Sequence, residues 1–138
     1  MLQGTDLISY LDDTYIDLIL GDGEELKIPA GGLIIGEGTV PDALYILLSG
    51  VASVSNSTYG AHEIAQVEPG ELLGEISFID NCAATASVTA LKDSTVLAIS
   101  RETLEQRLET EQGFSSRFYR TLADVLAKRM RSNIAQSR

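Results

Sequence analysis

A chain of 138 residues has the size of one ordinary domain, long enough to bury a core and too short for two independent ones. Hydrophobic residues make up 44% and charged residues 22%, the balance of a folded, soluble protein rather than a disordered one. The net charge of -10 is uneven, with 15 acids against 2 lysines over residues 1–100 and 8 basic residues against 5 acids over 101–138; nucleic-acid affinity rests on neutralised phosphates, so an acidic body with a mildly basic tail excludes DNA or RNA as the expected partner.

At the N-terminus, YLDDTYIDLIL (Tyr10–Leu20) places Leu11, Tyr15, Leu18 and Ile19 at helical spacing, and GDG at 21–23 ends the pattern. Residues 1–22 are therefore expected to form an N-terminal helical segment. Asp6, Asp12, Asp13 and Asp17 give it the wrong charge for a targeting peptide, so the expected location is the cytoplasm.

From residue 23 to 100 the punctuation changes. PAGG, GEG, SG, YG, PG and DN interrupt short segments rich in Val, Ile, Leu, Tyr and Thr, and turn signals about ten residues apart mark a β-sandwich or barrel. Strands are expected at Glu25–Ile28, Leu33–Gly36, Ala43–Leu48, Val51–Asn56, Glu63–Val67, Thr85–Ala90 and Thr95–Ile99. In the third, Leu44, Ile46 and Leu48 share one face and Tyr45 and Leu47 the other, so both faces are covered and the strand is central. The apolar run around it, Ala43–Ala52, is broken by Ser49 and Gly50 and falls short of the ~20 residues of a membrane helix. No membrane partner is expected. NSTYG at 56–60 reads as a hairpin tip with Gly60 at positive φ.

The stretch GELLGEISFIDNCAATASV, Gly70–Val88, differs from the rest. Gly74 precedes Glu75, and the residues before Asp80-Asn81 leave room for a single helical turn. A helix inserted between strands breaks the ladder and leaves backbone N–H groups at its start without partners, which makes a site for an anion or a hydroxyl. The plainer reading makes Gly74 a turn residue and Glu75 a carboxylate near a helix N-terminus. Cys82, the only cysteine, allows no disulfide and no cysteine-based metal cluster, and reads as a small filler.

Residues 101–138 are helical. Ser100 is a good N-cap for RETLEQRLE. A longer helix is expected from about Gly113 to Asn133, with Phe114, Phe118, Leu122, Val125, Leu126 and Met130 on one side. That stripe is wide enough to dock on the barrel and leave a seam for a homodimer.

PAGGLIIGEG, PDALYILLSGVASVS, IAQVEPGELLGEISFIDNCAATASVTA, STVLAISRETLEQRL and the final helix, in this order, resemble the cyclic-nucleotide-binding domain family over residues 5–136. The resemblance implies a single domain over 1–138, mainly β with flanking helices: a double-stranded β-helix (jelly-roll) barrel at 23–100 with a short inserted helix, an N-terminal helix and a long C-terminal helix. The family's cassette of glycine, glutamate, aliphatic, alanine and, further on, proline, arginine and two small residues falls on Gly74, Glu75, Ile76, Ser77, Ala83, Ala84, Thr85 and Ala86, preceded by Leu73. By that resemblance Glu75 accepts a hydrogen bond from a ribose 2′-hydroxyl, and the amides around Ile76 and Ser77 face a cyclic phosphate. Asn133 falls near where the final helix meets the purine, although a polar helix end accounts for it equally well.

The arginine is missing. In the family it neutralises the phosphate; here Ala84 stands in its place, and the whole span from Ile28 to Leu91 contains no Lys or Arg. A charge-assisted hydrogen bond contributes roughly 1.5 to 3 kcal/mol, more when shielded from water, so its loss weakens phosphate binding by at least ~10-fold and up to ~100-fold or more. Substitutes would have to reach in from Lys27, Lys92 or the final helix, where Arg129 and Arg131 are nearest.

A barrel can also be a metal-dependent enzyme, but the one histidine, His62, cannot supply the ligand cluster, so no metal, no catalytic residue and no enzyme activity are expected. A helix-turn-helix of the bacterial activator type would lie beyond the final helix, outside these residues. Three readings remain: a regulatory module with a degenerate phosphate site, no cofactor and weak or altered binding of cyclic AMP or a related nucleotide; a working cyclic AMP or cyclic GMP receptor using substitute contacts; and a non-binding interaction domain. Each leaves the regulatory protein partner unidentified.

Overall fold

A computed structural model describes residues 21–57, 60 and 62–136, with side chains as far as Arg131. The helix expected at Tyr10–Leu20 lies outside the described residues, as does the side chain of Asn133.

Eight strands form two antiparallel sheets. They are β1 (Glu24–Ile28), β2 (Leu33–Ile35), β3 (Ala43–Ser49), β4 (Ala52–Ser55), β5 (Glu63–Val67), β6 (Leu72–Leu73), β7 (Ser87–Ala90) and β8 (Ser94–Ser100), in the orders β1-β8-β3-β6 and β2-β7-β4-β5. The two sheets face each other in the jelly-roll manner without closing into one continuous ring. Between them lie Ile35, Leu47, Ala52, Val67, Leu73, Val88 and Val96, residues drawn from both sheets. Helix α1 (Glu75–Asp80) is inserted between β6 and β7, and α2 (Arg101–Thr110) and α3 (Phe114–Gln136) follow β8.

The second core explains how the helices stay on. The opposite face of β3 and β8, through Leu44, Ile46, Leu97 and Ile99, packs with Phe78 of α1, Leu104 of α2 and Phe114, Phe118, Leu122 and Val125 of α3. Strand β3 is therefore buried on both faces, as its pattern predicts, except at Leu48, which an irregularity between Leu47 and Ser49 turns outward. Phe118 sits edge-on to Phe78 at 5.8 Å and stacks on Phe114 at 5.5 Å, so one aromatic cluster ties α1, α3 and the sheet together.

Helix α2 starts as expected, with Ser100 Oγ accepting the Thr103 N–H at 3.0 Å. Arg107 bridges Asp22 at 3.1 Å and Glu111 at 3.0 Å, and the hydrogen bonds it donates to those carboxylates hold its guanidinium above the ordinary arginine range. The packed side of α3 needs one correction. Met130, expected on it, is 64% exposed, because the stripe 118-122-125 continues to Arg129 instead. No helix among the described residues is long and apolar enough to cross a membrane.

Candidate functional site

Gly74 makes the turn from β6 into α1 with φ +87°. A methyl group there would meet only ordinary contacts, Ala43 O and Ile35 Cδ1 at 3.5 Å, so the left-handed backbone rather than space demands glycine. That turn drops Glu75 into the interior as the first residue of α1, where it is 4% exposed.

Arg129 of α3 meets it. Its Nη1 donates to Glu75 Oε1, its Nη2 donates to the Leu72 carbonyl at 2.7 Å, and Glu71 lies 3.9 Å away. Glu71, also buried, uses its other oxygen to accept the Glu68 N–H at 2.8 Å. Glu75 Oε2 is buried and accepts no hydrogen bond from any described residue. One guanidinium thus serves two carboxylates, and the neighbourhood keeps a net negative charge.

The far end of α1 is held by a second arginine. Asn81 adopts φ +59° and its N–H donates to Ser77 O, a C-cap that asparagine tolerates better than most residues. Arg101 Nη2 donates to the same carbonyl at 2.9 Å, Nη1 donates to Asn81 Oδ1 at 2.8 Å and Phe78 O at 3.3 Å, and the guanidinium lies 5.0 Å from the Phe78 ring centre. A cation in the first turn of α2 opposes that helix's own dipole but complements the C-terminal end of α1. Arg101→Lys keeps the charge and loses the planar fork. We expect it to cost about 1–3 kcal/mol in denaturant unfolding and to speed amide exchange over 75–80; unchanged exchange there contradicts the clamp.

Ala84 is partly buried at the inter-sheet core. It packs against the cluster containing Ile35 and Leu73, and its backbone is fixed to the neighbouring loop by Ala84 N–H to Thr39 O and Gly38 N–H to Ala84 O, both 2.8 Å. Thr85 is exposed and Ala86 half-buried. Leu73 and Ser77 are buried, whereas the Ile76 side chain is 55% exposed and faces away from the core. Tyr45, paired with Leu73 across β3 and β6, has its phenol pushed up by burial and then by Asp42, so it stays neutral.

Of the candidate cations named from sequence, Arg129 reaches Glu75, while Lys27, Lys92 and Arg131 are exposed. Sequence reading missed Glu71 and Arg101. The signal for Arg101 was its place directly after the N-cap, where a positive charge is unfavourable unless it serves another element. Among the described residues no three His, Cys, Asp or Glu side chains gather as a metal would require.

Residues 25–111 match the cyclic nucleotide-binding domain model. The chain is 33% identical over 103 residues to a cyclic AMP receptor protein of Thermus thermophilus, covering 73% of this chain and 48% of that one. The crystal structure of the Thermus thermophilus catabolite activator protein superposes with a TM-score of 0.79 at 28% identity, over 95% of this chain and 61% of that one. The regulatory domain of Toxoplasma gondii PKA, crystallised with cAMP, gives a TM-score of 0.68 at 27% identity, over 73% of this chain and 39% of that one. The chain spans about half the length of the Thermus receptor.

Proposed function

Because the chain belongs to the cyclic nucleotide-binding domain family, we propose that it is a regulatory, non-enzymatic module whose ligand site beside Glu75 keeps the family's sugar contact and lacks its phosphate cation. The observation that carries this reading is Ala84, a methyl group where the family has a guanidinium, on a backbone fixed by Gly38 and Thr39. Leu73, Gly74, Glu75, Ile76, Ser77, Ala84, Thr85 and Ala86 line the site in this reading, with Asn133 at the base. The Thermus relative's name makes cyclic AMP the first ligand to test.

Occupancy has a route outward. A ligand hydroxyl donating to Glu75 Oε2 adds a partner to the carboxylate whose other oxygen holds Arg129, and α3 carries Arg129, so binding is coupled to the helix that covers the sheet. The outer side of α3 exposes Tyr119, Ala123, Ala127 and Met130 at helical spacing, and there we place a homodimer or a regulatory protein partner, in a cytoplasmic setting.

A second reading is favoured by Arg129 itself: turned from Glu75 to a phosphate, it would serve a working receptor. Thermal melting separates the two. With a dissociation constant near 1 mM, 10 mM cyclic AMP stabilises the fold by about 1.4 kcal/mol, a rise of roughly 3–6 °C. Saturation in the low micromolar range supports the second reading, and no shift supports a non-binding scaffold.

A further inference from the structure

We propose that the site at Glu75 selects an uncharged vicinal diol, a free ribonucleoside, over the corresponding cyclic phosphate. This deepens the reading above and rests on it. Glu75 Oε2 is buried and takes no hydrogen bond from a described residue, while Oε1 is occupied by Arg129. A buried carboxylate oxygen left unpaired is costly, so the site calls for a donor. A hydroxyl supplies one without adding charge. A 3′,5′-cyclic nucleotide can offer its 2′-hydroxyl too, but it adds a phosphate that has only acceptors and meets the carboxylates as a like charge.

Arg129 is not free to offset that repulsion. Its two terminal nitrogens are committed to Glu75 and to the Leu72 carbonyl, with Glu71 at 3.9 Å, and moving to a phosphate leaves Glu75 as an uncompensated buried charge. Arg101 is engaged at the other end of α1, and Ala84 brings no charge. The ligand's own chemistry points the same way. A free nucleoside keeps both the 2′- and 3′-hydroxyls and is neutral, whereas a 3′,5′-cyclic nucleotide has spent its 3′-oxygen and carries a negative charge.

Calorimetric titration of the native chain with adenosine, guanosine, cytidine and uridine, each beside its 3′,5′-cyclic monophosphate, tests this. At least one nucleoside should bind about tenfold or more tightly than its own cyclic phosphate, and its 2′-deoxy form should lose about tenfold. Cyclic phosphates binding weakly while no nucleoside binds better overturns the inference and leaves the degenerate-site reading standing. Cyclic phosphate binding in the micromolar range overturns both, as does silence from every ligand. A 2′-deoxynucleoside binding as well as its ribonucleoside removes Glu75 Oε2 as the acceptor of the ligand's hydroxyl and overturns the inference alone.

Discussion

Phe118→Ala should cost about 3–5 kcal/mol of stability, among the largest losses any single truncation can produce. Phe118 is fully buried, meets Phe78 edge-on and stacks on Phe114, and shares its cluster with Leu44, Ile46, Leu97 and Ile99 of the sheet. Removing the ring opens a cavity where three helices converge on β3 and β8, and domains of this size have only about 5–15 kcal/mol in total. Because Phe78 belongs to α1, the loss should also appear locally, as faster amide exchange over Glu75–Asp80. Denaturant unfolding measures the first effect and exchange the second. A loss under about 1 kcal/mol would mean that the cluster collapses without strain and that α3 is not what holds α1.

The second large effect concerns affinity. Ala84→Arg should raise the affinity for cyclic AMP by ~10-fold to ~100-fold, the equivalent of one charge-assisted bond to a phosphate shielded from water. The substitution is mild for the backbone. Both hydrogen bonds that fix residue 84 use main-chain atoms, Ala84 N–H to Thr39 O and Gly38 N–H to Ala84 O, so they survive the change of side chain. Titration calorimetry of a variant whose circular dichroism matches the native chain reads the result. No gain would show that the side chain at 84 does not reach the ligand.

Much of this architecture is legible in the residues because turn chemistry and strand alternation agree. Glu63–Val67 is read from sequence with the limits the structure gives, since turn signals bound it on both sides. A single helical turn is read between Gly74 and Asp80-Asn81, and the structure extends it to Glu75–Asp80, framed by Gly74 and Asn81 in the left-handed backbone. Strand β6 escapes notice for the opposite reason. Leu72 and Leu73 are too few to show alternation and become a strand only by pairing with Ile46 and Tyr45 of β3.

The charged layer of the site is harder to read, since it depends on contacts between residues far apart in the chain. Arg129 lies 54 positions from Glu75 and Arg101 lies 24 from Ser77, separations at which spacing carries no information. The helical period did hold a clue, because Arg129 continues the stripe that Phe118, Leu122 and Val125 begin. Judging by residue type instead of position favours Met130, which the structure leaves exposed.

The most direct test of the account is the dissociation constant of the native chain for cyclic AMP, by calorimetry at physiological salt. With Arg129 held by Glu75 and alanine at position 84, it should lie at about 0.1–1 mM, a binding free energy of roughly 4–5.5 kcal/mol. A value of about 1 µM or tighter would mean that a cation does reach the phosphate, and the account of a site without a phosphate cation would be wrong.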